Sequence, residues 1–144
     1  MDLEECYRKG FIRKCRIDIE LIKSVMEMSA IKEEEVKNAK INERNISVYV
    51  SMAYDSLREI MEAICISKGF KVTSHLCIGE FLKTLVKDFD FVSFDRFRYI
   101  RNGINYYGTK VDLSQGKEII EKMMRMRKGL MMELRKCTSS VSDT

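Results

Sequence analysis

At 144 residues the chain is long enough for one hydrophobic core and too short for two, which predicts a single domain over residues 1–137 and a small, polar, disordered tail at 138–144. The absence of proline, the seven glycines and the abundance of Met, Leu, Ile, Glu, Lys and Arg favour helix throughout, because these side chains lose little freedom there. A net charge of +4 and a pI near 8.8 favour an anionic partner but fall well short of the dense basic composition that identifies a nucleic-acid binder by charge alone. The five cysteines (Cys6, Cys15, Cys65, Cys77, Cys137) are odd in number and scattered, with no C-x-x-C and one histidine beside them. They are expected to be reduced cytoplasmic thiols engaged in packing, with no metal site and no cofactor. No apolar run approaches the ~20 residues of a membrane span.

In chain order, residues 1–40 predict a short helix broken off near Gly10, then a long one with Ile17, Leu21, Ser24, Met28 and Ile31 at alternating spacings of three and four. Arg8, Lys9, Arg13, Lys14 and Arg16 make the start of this region basic, and Glu33–Glu35 make its end acidic. Asn42–Asn45 forms a turn with Asn45 as N-cap, and a helix follows to about Lys68, stopped by Gly69. Its apolar face is Ile46, Tyr49, Val50, Ala53, Leu57, Ile60, Met61 and Ile64. Its polar stripe is Ser51, Asp55, Arg58, Glu59 and Glu62. Thr73 or Ser74 caps the next helix, whose buried ridge is Ile78, Phe81, Leu82, Leu85 and Phe89; His75 in its first turn is expected to serve capping or packing.

The stretch Phe94–Lys110 predicts a further helix that places Phe97, Ile100, Ile104 and Tyr107 toward the core, while Asp95, Arg98, Arg101, Asn102, Asn105 and Tyr106 gather on the opposite arc. Gly108 ends it. Asp112 with Gln115 opens a last helix to about Lys136, with a broad stripe of Ile119, Ile120, Met123, Met124, Met126, Leu130, Met131 and Leu134. The predicted fold is all-α, an up-down antiparallel bundle of four main helices plus a short N-terminal helix. The Met-rich stripe and the polar cleft both suggest a second subunit, and thus a homodimer.

Arg101-Asn102-Gly103-Ile104-Asn105-Tyr106 resembles the R-N-x-x-x-H motif of the HEPN domain family, with Tyr106 where catalytic members carry His. The long helix ending in KGFKVTSH also looks like archaeal-type members, so the resemblance spans roughly residues 45–111. It implies a helical module that uses a cleft at a homodimer interface, with Arg101 stabilising a phosphate or transition state, Asn102 orienting it and Tyr106 in the base position. Arg98, Asn105, Asp55 and Glu59 would shape that cleft, the two acids by holding Arg98 or Arg101.

The family's chemistry is metal-independent RNA cleavage by 2′-hydroxyl attack. A phenol with a pKa near ~10 is a poor substitute for imidazole as base, so binding of RNA, a nucleotide or a partner protein without efficient catalysis is the preferred expectation. A ribonuclease toxin paired with a small nucleotidyltransferase chain is the alternative that the resemblance implies.

Overall fold

In a computed structural model, which describes residues 1–142 and the side chains of residues 1–138, the chain runs α1 (Leu3–Arg8), β1 (Ile12–Lys14), α2 (Ile19–Asn38), α3 (Ile46–Ser67), β2 (Phe70–Val72), α4 (His75–Leu85), α5 (Phe91–Tyr107) and α6 (Leu113–Ser142). The fold is mainly helical, as composition predicts. Asp2, Asp18, Ser74, Asp90 and Asp112 each accept a hydrogen bond from the backbone N–H three residues on, so α1, α2, α4, α5 and α6 all begin on a side-chain cap. Asn45 departs from its expected role. Its Oδ1 accepts from the N–H of Asn42 and its Nδ2 donates to the Lys40 carbonyl, which closes the loop rather than capping α3.

Five helices longer than α1 are present where four were expected. The directions of four of them still alternate. Ser51 and Asp55 on α3 meet Asn105 and Arg101 on α5 in reverse order, whereas Ile46 at the start of α3 lies against Gly116 near the start of α6. The helix that the count of four leaves over, although its cap and ridge were read from the sequence, is the short α4, which fills the connection between α3 and α5. It stops at Leu85, short of the expected Phe89, because Val86 turns extended and Asp88 takes a left-handed φ of 60° before Asp90 caps α5.

A two-stranded antiparallel ribbon, unforeseen from sequence, pairs Ile12 with Val72 and Lys14 with Phe70. Runs of three residues are too short to show an alternating pattern, and both strands begin just after a glycine or one residue beyond it: Gly10 and Gly69 have φ of +75° and +84°.

The core is built around α3, whose predicted apolar face is buried apart from the half-buried Tyr49, and α2 and α6 pack on it. The seam between the three is polar. Ser29 and Ser56 donate reciprocally to each other's backbone carbonyls at 2.6 and 2.7 Å, and Arg127, only 5% exposed, donates from Nε to Ser29 Oγ at 3.0 Å and from Nη1 to Glu33 at 2.6 Å. This polar seam explains a correction. The buried side of α2 is Ile22, Ser29 and Val36, so Leu21, Ser24, Met28 and Ile31 of the expected stripe face solvent, while Ile17 falls before the helix and lies beside Gly69. The Met-rich side of α6, by contrast, is largely taken up by the core, leaving Met132 its one strongly exposed apolar side chain among the described residues.

Two further expectations are corrected. Cys6 and Cys77 are joined in a disulfide that ties α1 to α4 across 71 residues of sequence; Cys15, Cys65 and Cys137 are free thiols. The pairing is invisible in the sequence because only the packing of α1 on α4 brings the two Cα atoms to 5.8 Å. The last helix passes its expected end near Lys136 and reaches Ser142. Of the tail expected to be disordered, residues 143–144 lie outside the described residues. Among the described residues no helix is long and apolar enough to cross a membrane.

Two stability predictions follow from this packing. A Cβ at Gly116 would overlap Cγ1 of the buried Ile46, so Gly116→Ala is expected to lose about 1–3 kcal/mol in urea unfolding, although the same change in an open helix gains up to about 1 kcal/mol. Replacing Cys6 and Cys77 together by Ala opens the covalent loop and is expected to lower unfolding free energy by up to roughly 4 kcal/mol, with the variant eluting as a folded species.

Candidate functional site

The α5 helix is held at both ends. Asp90 accepts from both the N–H and the hydroxyl of Ser93, bonds that hold its carboxyl below the usual carboxylate range, and Gly108 closes the other end in the left-handed conformation. Its first turn is pressed against α4 at Gly79, where the lack of a side chain admits the rings of Phe91 and Phe94. Phe94 then stacks on Tyr54 of α3, with centroids 5.8 Å apart. This stack aims the next two turns of α5 across the polar stripe of α3.

There Arg101 finds the acidic partner expected of it. Its Nη2 lies 3.4 Å from Asp55, and its guanidinium sits 5.6 Å from the centroid of the Tyr54 ring. Asn105 completes the clasp. A guanidinium has only donors, so the Asn105 amide oxygen faces it, accepting from Nε at 3.0 Å and Nη2 at 3.2 Å, while the amide nitrogen donates to Ser51. With its side chain 14% exposed, Arg101 is clamped rather than free. Arg98 bonds Asp95 through Nε and Nη2 at 3.0 and 2.9 Å, one turn earlier, and Arg58 pairs with Glu62 and approaches Asp55 at 3.9 Å.

Glu59 does not join this group. It turns to the other side of α3, is buried, and bonds Lys32 of α2. The expectation that it holds Arg98 or Arg101 is thereby corrected: a step of four residues from Asp55 rotates the side chain by 40°, enough on this crowded helix to change neighbours.

Asn102 and Tyr106 also part company with Arg101. Five residues along a helix turn through 140°, so Tyr106 stands at the rim of a groove of about 850 Å³ on the far side of α5, which it lines with Asn102, Gly103, Tyr99 and Tyr107, and with Gln115, Glu118 and Lys122 of α6. Tyr107, expected in the core, is 84% exposed, because α5 packs on α3 and α4 and stands off from α6. The phenol of Tyr106 is 70% exposed, so it is not directed into the Arg101 clasp as a base.

The residue that sequence reasoning set aside is His75. Its Nδ1 lies 3.3 Å from the buried hydroxyl of Tyr54, which places the chain's one imidazole beside the Arg101 cluster. Burial, with the positive charges of Arg58 and Arg101, pushes its pKa down to about 4, and burial pushes the Tyr54 phenol up. At neutral pH the pair is an uncharged imidazole against an uncharged phenol. Only the tertiary path from the start of α4 to the middle of α3 brings them together, and no spacing in the sequence signals it. Among the described residues no group of three or more His, Cys, Asp or Glu side chains is arranged to hold a metal ion.

The fold and this surface define a small, mainly helical protein with an arginine clasp on one side of α5 and a tyrosine-lined groove on the other. Compared with family models and with curated proteins, the chain matches none.

The His75 environment sets a pH dependence. Unfolded His75 takes up a proton near its ordinary value of 6.5, whereas the folded residue does so only near 4, so the unfolded state binds more protons between these values. Stability is therefore expected to be full above pH 6.5, to fall as pH drops through this window and to level off near 4. Urea unfolding of His75→Gln should lack that part of the slope.

Proposed function

We propose that the chain is a HEPN-like helical module, working as a homodimer, that binds single-stranded RNA along α5 at the groove beside Asn102, with Arg101 behind it, without efficiently cleaving it. The observation that supports this most is the groove beside Asn102. Tyr99, Tyr106 and Tyr107 are 75, 70 and 84% exposed on one short stretch of helix, with Arg96 and Lys122 at the same groove. Exposed aromatic rings set among cations suit unstacked bases joined by phosphates: the rings supply stacking area and the cations meet the backbone charge. In this reading Arg101 is a positioning residue, which with Asp55 and Asn105 fixes the rotation of α5 so that Asn102 and Tyr106 face the groove. The cytoplasmic setting that goes with an RNA ligand is compatible with the Cys6–Cys77 bond, since both residues are fully buried and sheltered from thiol reductants.

A second reading, metal-independent cleavage by the RNA's own 2′-hydroxyl, is favoured by one observation: neutral His75 stands beside the Arg101 cluster and has the type of group a general base requires. Its Nδ1 is engaged by Tyr54, and its depressed basicity makes it a weak base, which leaves binding the better-supported function.

Fluorescence anisotropy with a labelled single strand of roughly a dozen nucleotides separates the two readings. Wild type is expected to bind with affinity that falls as salt rises, Tyr99→Ala and Tyr106→Ala each to weaken binding by about 5- to 150-fold, and the RNA to remain intact on gels. Binding unchanged in both variants would remove the groove as the site. Cleavage by purified wild type that disappears in His75→Gln would establish the second reading instead.

A further inference from the structure

Charge is unevenly placed along the chain. Residues 8–17 and 68–74, which form the β1–β2 ribbon and its flanks, carry seven of the 26 Lys and Arg and none of the 22 Asp and Glu. With those seven set aside, acids outnumber cations in the rest of the molecule, so the positive excess belongs to the ribbon. All seven are exposed. Arg8 and Lys9 share the one carboxylate of Glu5, at 3.6 and 3.1 Å, while the side chains of Arg13, Lys14, Arg16, Lys68 and Lys71 have no ion-pair or hydrogen-bond partner among the described residues.

The fold itself does not ask for this arrangement. The ladder sets Arg13 directly opposite Lys71, on the face away from the buried Ile12 and Val72, and like charges opposed across two strands destabilise the pair. Cations gathered where the chain supplies no counter-charge raise the local concentration of anions from outside.

We propose that the ribbon is a docking site for the phosphate backbone of nucleic acid, single- or double-stranded, held through Arg13, Lys14, Arg16, Lys68 and Lys71. It rests on the RNA reading above for the kind of polyanion and on none of the groove's residues. The exposed acids Glu4 of α1 and Asp18 and Glu20 at the start of α2 bound the basic segment in the chain, which suits a linear polyanion better than a broad anionic surface such as a membrane. Phe70 of the ribbon packs edge-on against Phe81, with centroids 4.9 Å apart, so its ring is engaged within the fold. The contact is therefore to phosphate and carries no sequence preference. The ribbon follows the last turn of α3, whereas Val111 of the tyrosine groove is bonded to Ser47 in the first turn, which puts roughly 30 Å of helix between the two surfaces.

Anisotropy with a labelled DNA duplex isolates the ribbon, because paired and stacked bases are closed to the groove tyrosines. At roughly 50 mM salt wild type is expected to bind the duplex, and Arg13→Gln, Arg16→Gln and Lys71→Gln together to weaken binding at least about 100-fold and to flatten the slope of log Kd against log salt by about 3. Lys87→Gln, Lys117→Gln and Lys128→Gln remove the same charge from exposed positions elsewhere and should weaken binding less than about 10-fold. Lys71→Glu sets an acid against Arg13, so its melting temperature is expected to match or exceed that of wild type while duplex binding falls. A wild type that ignores the duplex, a control triple that loses as much as the ribbon triple, or a ribbon that takes up phosphatidylserine vesicles in preference to the duplex would each overturn the proposal. Single-stranded RNA scored in parallel keeps the two sites apart. Duplex binding lost in the ribbon triple, with RNA binding indifferent to Tyr99→Ala and Tyr106→Ala, retains the ribbon and removes the groove; the reverse removes the ribbon alone.

Discussion

Arg127 is a full guanidinium placed where three helices meet, and the arrangement of the rest of the molecule depends on its being satisfied. An unpaired buried charge costs several kcal/mol, so α2 and α6 are stable against α3 only in the register that brings Ser29 and Glu33 within reach of Nε and Nη1. The reciprocal serine bonds fix α2 on α3, and Arg127 then fixes α6 on α2. In that register Gly116 falls on Ile46, and the hydroxyl of Ser47 accepts from the N–H of Val111, which pins the connection leading out of α5. A polar seam of this kind adds little net stability over a well-packed apolar one, but it discriminates sharply between alternative helix registers.

The polar stripe of α3 is divided between its two flanks. Glu59 is claimed by Lys32 of α2 and Asp55 by Arg101 of α5, so one row of side chains joins the core of the bundle to the candidate site. Three arginines converge on the Tyr54–His75 pair: Arg58, Arg98 and Arg101 each act electrostatically on both rings. Their charge is partly offset by Asp55, Glu62 and Asp95, and within this low-dielectric corner a neutral imidazole costs less than a protonated one.

The long apolar periods of α3 and α6 and the cap residues Ser74 and Asp112 could be read directly, because each depends on neighbours three or four residues away. The pairing of Arg101 with an acid on α3 was legible for a similar reason: a partly buried guanidinium needs acceptors, and Asp55 lay on the facing stripe. The orientation of α2 was not, since its apolar period is real but belongs to the outer face, and the inner face is held by Ser29. The disulfide, the ribbon and the approach of His75 to Tyr54 depend on contacts between distant segments that leave no mark on local spacing. The separation of Tyr106 from Arg101 is different in kind. The polar arc of α5 is wide enough to hold side chains 140° apart, and only the packing of α5 decides that α3 takes the Arg101 edge of that arc while the groove takes the Tyr106 edge.

The chain has six tyrosines and no tryptophan, so its near-ultraviolet emission comes from phenol rings alone. Tyr54 is buried against Phe94 and His75, whereas three of the six stand exposed at one groove. With no indole to act as an energy sink, the fluorescence of the unmodified protein is weighted toward that groove. A molecule that settles there changes the light the protein emits, so occupancy can be followed in the native chain without a label or a chromophore added by mutation.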